Sequence, residues 1–273
     1  MRARSSTKLR GLQVTVLGDG NAGRAFAGAL AARGARVSVW NRRSRRMLPG
    51  PDSGTDLFLF CVRDDAIEAV AGDLARAWRR RGGNPPVALH TSGFHGQTVL
   101  RELARAGFAT GSIHPLVPLK GARSAPDLLG AWFATSASGR AAGMVRRLIA
   151  GLGGKQLRLP PGDARKRSWH LACALVANGA VSLFDLALEH AGPKAAAPLA
   201  AMLETVAKRL AGGPRAALTG PTARGEDEVV AGHLSLLRGR SGDAELYRLL
   251  SRRLLALADL PPSRRRAIAR RLR

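Results

Sequence analysis

The chain is poor in cysteine, in aromatic residues and in acid. Its two cysteines, Cys61 and Cys173, both sit inside apolar runs. That usage argues against a disulfide framework or a cysteine-built metal centre, and fits reduced core residues of a cytoplasmic protein. Aromatic residues make up 4% of the chain, and tyrosine occurs once. Together with the lack of any recognisable nucleic-acid motif, this weighs against specific nucleic-acid recognition, for which stacking aromatics are a common device. No uninterrupted apolar run reaches the roughly 18 residues of a membrane span, so no membrane association is expected. The opening MRARSSTKLR contains no apolar core and reads as a basic tail, not a secretory signal. Acidic residues number 19 against 44 basic ones, a net charge of +25. The arginines are spread along the chain and are not gathered into one patch, so any phosphate attraction should be weak and salt-dependent.

What is present is a globular core. Hydrophobic residues account for 45% of 273, enough for one large domain or two ordinary ones. The first half alternates strand-like and helix-like segments. LQVTVLG (12–18), ARVSVW (35–40), DLFLFCV (56–62), PVALHTSG (86–93), ATGSIHPL (109–116), AWFATSA (131–137) and KQLRLP (155–160) read as strands. RAFAGALAARG, DDAIEAVAGDLARAW and GRAAGMVRRLIAGLG read as helices between them. Such alternation predicts an α/β domain with a mostly parallel sheet over residues 1–161. From about residue 162 the chain reads as an all-α domain to its end. A helix is expected from an Asp163 cap to the Gly192-Pro193 stop, with more near 194–211, 226–238, 243–258 and 263–272. The long helix is apolar on most faces and should be covered by other helices or by a second subunit. Asn178, Ser182, Asp185 and Glu189 form one polar stripe along it, which is either a solvated face or, at Asn178, a cleft-facing one.

Between the first strand and the first helix stands GDGNAG (18–23), with the G-x-G-x-x-G spacing inside a βαβ unit. Gly18 permits the tight turn, Gly20 lets backbone approach a pyrophosphate, and Gly23 lets helix pack on strand. Asn21 and Ala22 complete a loop whose N–H groups face the anion, and Val62 closes the third strand beside it. At the end of the second strand, where an acid would hold a ribose 2′-hydroxyl, stand Asn41, Arg42 and Arg43, with Arg45 and Arg46 close by. Arginines there suit a 2′-phosphate and favour NADP over NAD, unless they are ordinary surface arginines of a basic protein.

Four segments carry a resemblance. VTVLGDGNAG (14–23), LHTSG (89–93), GSIHPL (111–116) and ALTGPTARGEDEVV (217–230) resemble the Rossmann-like proteins that bear a helical C-terminal domain of unknown function, number 2520. These are related to pyrroline-carboxylate and ketopantoate reductases. The resemblance implies a two-domain, often dimeric, NADP-dependent oxidoreductase with a domain like the C-terminal one of 6-phosphogluconate dehydrogenase. It implies reduction of a small keto or imino acid, an anionic substrate. The related ketopantoate and hydroxyacid reductases use a lysine four residues before an asparagine on the long helix. Ala174 stands at that position relative to Asn178, so another donor is expected.

Candidates for that donor come from segments that end at the carboxyl edge of the sheet. Ser92 and His114, with His90 beside them, could stabilise charge on a reacting C=O or C=N. His170 and Asn178 would approach from the long helix, His170 being turned away from Asn178 by about 80°. His90 could equally cap its strand, and His114-Pro115 could be a simple turn. Thr219, Thr222 and Arg224 form a donor-rich loop suited to a carboxylate, unless Arg224 pairs with Glu226 or Asp227. A non-catalytic NADP-binding sensor is the alternative to an enzyme.

Overall fold

A computed structural model describes residues 9–44, 48–50, 53–81 and 84–273. The first eight residues of the basic tail, and Arg45 and Arg46, lie outside the described residues. The chain begins with β1 (Gln13–Leu17), α1 (Asn21–Ala32) and β2 (Arg36–Trp40). It continues through β3 (Leu57–Phe60), α2 (Ile67–Arg81), β4 (Val87–His90), α3 (Arg101–Arg105) and β5 (Ala109–Pro115). β6 (Trp132–Ala137), α4 (Gly139–Leu152) and β7 (Lys155–Arg158) follow.

The strands form one sheet in the order β2-β1-β3-β4-β5-β6-β7. Every pairing is parallel except β5 with β6. The chain runs outward from β1 to β2 and then returns past β1 to β3. That reversal opens a crevice at the carboxyl ends of β1 and β3, where open α/β sheets bind ligands.

β3 shows why the sheet holds. Its LFLF is buried at all four positions. Leu57 and Leu59 belong to one apolar cluster, with Phe26 of α1 and Val145 of α4. Phe58 and Phe60 belong to another, with Leu74 and Trp78 of α2 and Leu103 of α3. Side chains alternate between faces along a strand, so an unbroken apolar run is what a sheet covered on both sides requires. On the second face the Trp78 ring meets Phe108 edge-on at 5.0 Å and Phe58 at 6.1 Å. Cys61 is buried in the first cluster, and burial pushes its thiol up to about 12.

α5 (Asp163–Ala191) runs unbroken for 29 residues and stops before Gly192, whose φ of 81° only glycine adopts readily. Asp163 is its first helical residue, and its carboxylate accepts from the Thr98 hydroxyl at 2.7 Å. α6 (Ala196–Leu210), α7 (Pro214–Ala217), α8 (Pro221–Arg224), α9 (Asp227–Leu236), α10 (Ser241–Leu257) and α11 (Pro262–Arg271) complete the helical part. The short α7 and α8 fall in a stretch whose glycines and prolines read as loop.

The chain divides into two compact units, residues 1–180 and 181–273, and the division falls inside α5. The second unit has its own small core of Val230, Leu255, Ile268 and Leu272. Of the two covers expected for α5, the chain's own helices do not supply one. Lys166 is its one buried residue, whereas Leu175 is 68% exposed and Val176 73%. An 18-residue stretch of α5 with mean hydropathy 1.9 is long and apolar enough, by length and composition, to cross a membrane.

Candidate active site

The turn between β1 and α1 is shaped by its glycines. Gly18 has φ 110°, and a Cβ there would lie 2.7 Å from the Cys61 carbonyl oxygen. A Cβ on Gly23 would strike the Gly18 carbonyl oxygen. These two glycines are therefore needed by the fold itself. Gly20 is different, because nothing lies within 4 Å of the Cβ it lacks. The space in front of Gly20 is open, and no side chain caps the amino end of α1. Backbone N–H groups at Asn21, Ala22 and Gly23 therefore begin a 12-residue helix at the sheet's crevice, a fit for a pyrophosphate.

Beyond β2, Arg42 and Arg43 lie exposed on a single helical turn, Arg42–Ser44. The Asn41 amide donates to the Asp19 carboxylate at 3.0 Å, tying the end of β2 to the glycine turn. Val62 is half-buried against the second apolar cluster.

A cleft of about 470 Å³ opens three strands away. One wall is the end of β5 and its exit, from His114 to Pro118; the other is α5, with Trp169, Cys173, Val176 and Asn178. The lining is mainly apolar, with His114 and Asn178 as its convergent polar groups. His114 Nδ1 lies 3.0 Å from the Thr91 carbonyl oxygen. A carbonyl can only accept, so Nδ1 carries the hydrogen and Nε2 of the neutral ring is the acceptor. Burial lowers His114 below the usual histidine range; the charges of Lys166 and His170 lower it further, while the Thr91 bond and Asp64 oppose the shift.

His170 stands beside His114, their ring centres 6.0 Å apart. A Cβ on Gly93 would lie 2.5 Å from His170 Nδ1 and 2.9 Å from His114 Nε2, so both rings rest against a bare glycine. His170 does not line the cleft, and its Nδ1 is buried without a hydrogen-bond partner. Ser92 is buried, and its Oγ accepts from the backbone N–H groups of Phe94 and His95 at 3.1 and 3.0 Å. It shapes the turn that places Gly93 and does not line the cleft. His90 is fully buried and donates from Nε2 to the Gly96 carbonyl at 3.0 Å. Burial above all, and then the Lys166 charge, push His90 down to about 3.

The structure draws out one residue that the sequence reading passed over. The position four residues before Asn178 is indeed alanine, yet the long helix does supply a lysine. Lys166 is 2% exposed, and its Nζ donates to Ser112 Oγ at 2.6 Å. Burial lowers its ammonium to about 8, with Asp64 opposing. Lys166 stands in the basic run ARKRSW, which reads as a solvated helix start. The signal that could have singled it out is its spacing of one helical turn from His170.

Thr219, Thr222 and Arg224 lie in the second unit, around α8. Thr219 is exposed and Thr222 is buried. Arg224 donates through Nε and Nη2 to both oxygens of Glu226, at 2.7 and 2.9 Å. The guanidinium is thus engaged by a carboxylate of its own loop, the pairing weighed as the alternative to a substrate site.

These features define a Rossmann-like protein: a doubly covered, mostly parallel sheet with a glycine turn at its switch point, followed by helices. Residues 131–254 match the family described as Domain of unknown function (DUF2520). No curated protein matches the chain. Among solved structures, it is similar to BF3122, a candidate NADP oxidoreductase of Bacteroides fragilis, at 18% identity and a TM-score of 0.70, covering 91% of this chain and 99% of that one. It is also similar to TM1727 of Thermotoga maritima, at 20% identity and a TM-score of 0.64, covering 90% and 98%. A third is the Plasmodium falciparum pyrroline carboxylate reductase with NADP bound, at 12% identity and a TM-score of 0.56, covering 92% and 100%. At such identities the likeness establishes the fold alone.

Proposed function

We propose that the chain is an NADP-dependent oxidoreductase that reduces the C=O or C=N of a small keto or imino acid. The observation that carries this reading is the open, uncapped glycine turn at Gly20 on the same sheet edge as the His114 cleft. β1 and β5 are three strand spacings apart, about 14 Å. A bound nicotinamide cofactor would supply the hydride. The names of similar structures, an NADP oxidoreductase and a pyrroline carboxylate reductase with NADP bound, agree with this class. Arg42 and Arg43, exposed just beyond β2, would pair with a 2′-phosphate, which favours NADP over NAD.

The chain's own part is to hold the substrate and manage one proton. His114 presents Nε2 at the cleft; the protonated ring donates to the reduced oxygen or nitrogen, and the neutral ring accepts in the reverse direction. Asn178 offers an amide on the opposite wall. Arg224 would bind a substrate carboxylate by exchanging it for Glu226. Leu171, Leu175, Val176 and Val181 of α5 are large apolar residues left exposed along this helix. A second copy of the chain would cover it, making a homodimer, which light scattering would detect. The direct test is calorimetric titration with NADPH and NADH, followed by turnover assays over keto and imino acids. Tight NADPH binding with no hydride acceptor among them would favour a non-catalytic NADP sensor.

A further inference from the structure

Two side-chain pairs lie in register beneath the cleft. On β5, Ser112 and His114 are two residues apart and share a face, a rise of about 6.6 Å. On α5, Lys166 and His170 are four residues apart, a rise of about 6 Å on one helix face. Lys166 Nζ meets Ser112 Oγ at 2.6 Å, and the His170 ring meets that of His114 at 6.0 Å. The matched rises let one helical turn lie along two strand residues, pair over pair. The ammonium is thereby sealed in beside the strand that carries His114. On the neighbouring strand His90 is the partner of Ser112 in register, so Lys166 acts on His90 as well as on His114.

We propose that Lys166 is the positioning residue of this site: its buried ammonium weakens the hold of His114 on a second proton, so that Nδ1–H stays bound to Thr91 while Nε2 gives up its proton readily at the cleft. This rests on the reading of His114 as the proton-handling group. Deep burial explains why a lysine is used here. In a medium of low polarity a like charge strongly opposes a second protonation nearby. Lys166 donates to a neutral hydroxyl, and among the described residues no carboxylate lies at hydrogen-bond distance from it.

The other charged and titratable groups around the pair are accounted for. Asp64, exposed after β3, attracts both Lys166 and His114. Asp65 is paired with Arg63 at 2.8 Å. Asp163 accepts from Thr98, and Arg167 lies over the Phe94 ring at 4.9 Å. His95, in the turn after β4, acts on His90. His170 adds to the effect of Lys166 on His114. A protonated His114 is therefore opposed by Lys166 and His170 and favoured by Asp64.

The test is an NMR titration of the histidine ring signals in the full chain, with His114 assigned by its loss in His114→Gln. In Lys166→Met the His114 midpoint should rise by about half a pH unit or more. Lys166→Gln, which keeps a donor for Ser112 but no charge, should give the same rise. Lys166→Arg should restore the original midpoint. The unmodified protein supplies a reading that needs no variant: His114 signals should shift a second time as Lys166 loses its proton near 8. An unchanged midpoint in folded Lys166→Met or Lys166→Gln, or no second shift in the unmodified chain, overturns the proposal. The titration needs neither cofactor nor substrate, so its failure is distinct from a failure to bind NADPH.

Discussion

The amino end of α1 and the patch behind His114 manage charge by opposite means. The first uses backbone N–H groups that never titrate and glycines that add nothing. The second uses a buried ammonium and three imidazoles, all able to gain or lose a proton. A site of the first kind should bind an anion with nearly the same strength across the pH range. A site of the second kind should respond to pH in both activity and stability. On the proposed function, position and proton supply would fall to separate parts of one sheet edge, β1 for the cofactor and β5 for the reacting end.

The sharpest way to break this contrast lies at the glycines. Gly20→Val meets no protein atom, so melting should be unchanged while NADPH affinity falls by about a hundredfold or more, because the side chain fills the approach to the helix N-terminus. Gly23→Val should instead destabilise the fold, since its Cβ strikes the Gly18 carbonyl. Retained NADPH binding in folded Gly20→Val would place the cofactor elsewhere.

Acid stability probes the other site. An unfolded His90 takes a proton below about 6.5, whereas the folded one resists until about 3. Between those values the unfolded chain holds the extra proton, so stability is complete above about 6.5 and is lost as pH falls. The loss from this group approaches about 5 kcal/mol. Chemical denaturation against pH should show a steep acid limb that flattens in His90→Gln; an equally steep limb in that variant would absolve His90.

For turnover, His114→Ala should cost at least about tenfold while NADPH still binds. Reduction should slow as pH rises through the His114 value, which lies below the usual 6.5, and the reverse reaction should quicken over the same range. A flat profile in both directions would remove His114 from the chemistry. Ser92→Ala should also lower turnover, through the turn it holds, and His170→Ala should do less than His114→Ala.

Smaller effects test specificity. Arg42→Ala with Arg43→Ala should erase a preference for NADPH over NADH of about tenfold, measured by fluorescence titration. Arg224→Ala should leave melting and NADPH affinity unchanged and weaken substrate binding several-fold. Equal losses for cofactor and substrate would show that Arg224 serves neither the role nor the place assigned to it.

The parts of this molecule written in neighbouring residues could be read from the sequence. GDGNAG carries its turn, its helix start and its close packing within six residues. LFLF announces a strand covered on both faces, and the Gly192-Pro193 stop of α5 is local chemistry. Lys166 could not be read in that way. Its surroundings come from Ser112, 54 residues earlier, and its neighbours Arg165 and Arg167 disguise it as part of a solvated basic face. Arg224 was legible as a choice between two partners, and the structure shows Glu226 holding it. Ser92 was legible as lying at a strand end, but the hydrogen bonds that occupy its Oγ depend on a turn no spacing specified. The antiparallel return of β6 likewise was not legible: the connection after Pro115 forms two short 3-10 turns and no crossover helix.

Trp169 has a use of its own. Its indole forms part of the cleft wall, while Trp78 is buried in the second apolar cluster. A reduced nicotinamide absorbs at the wavelengths where tryptophan emits. Light taken up by Trp169 would therefore pass to a dinucleotide lying along this sheet edge and reappear as the cofactor's own glow. Trp40, at the end of β2, would pass light in the same way, so a Trp169→Phe variant separates the share of the cleft wall.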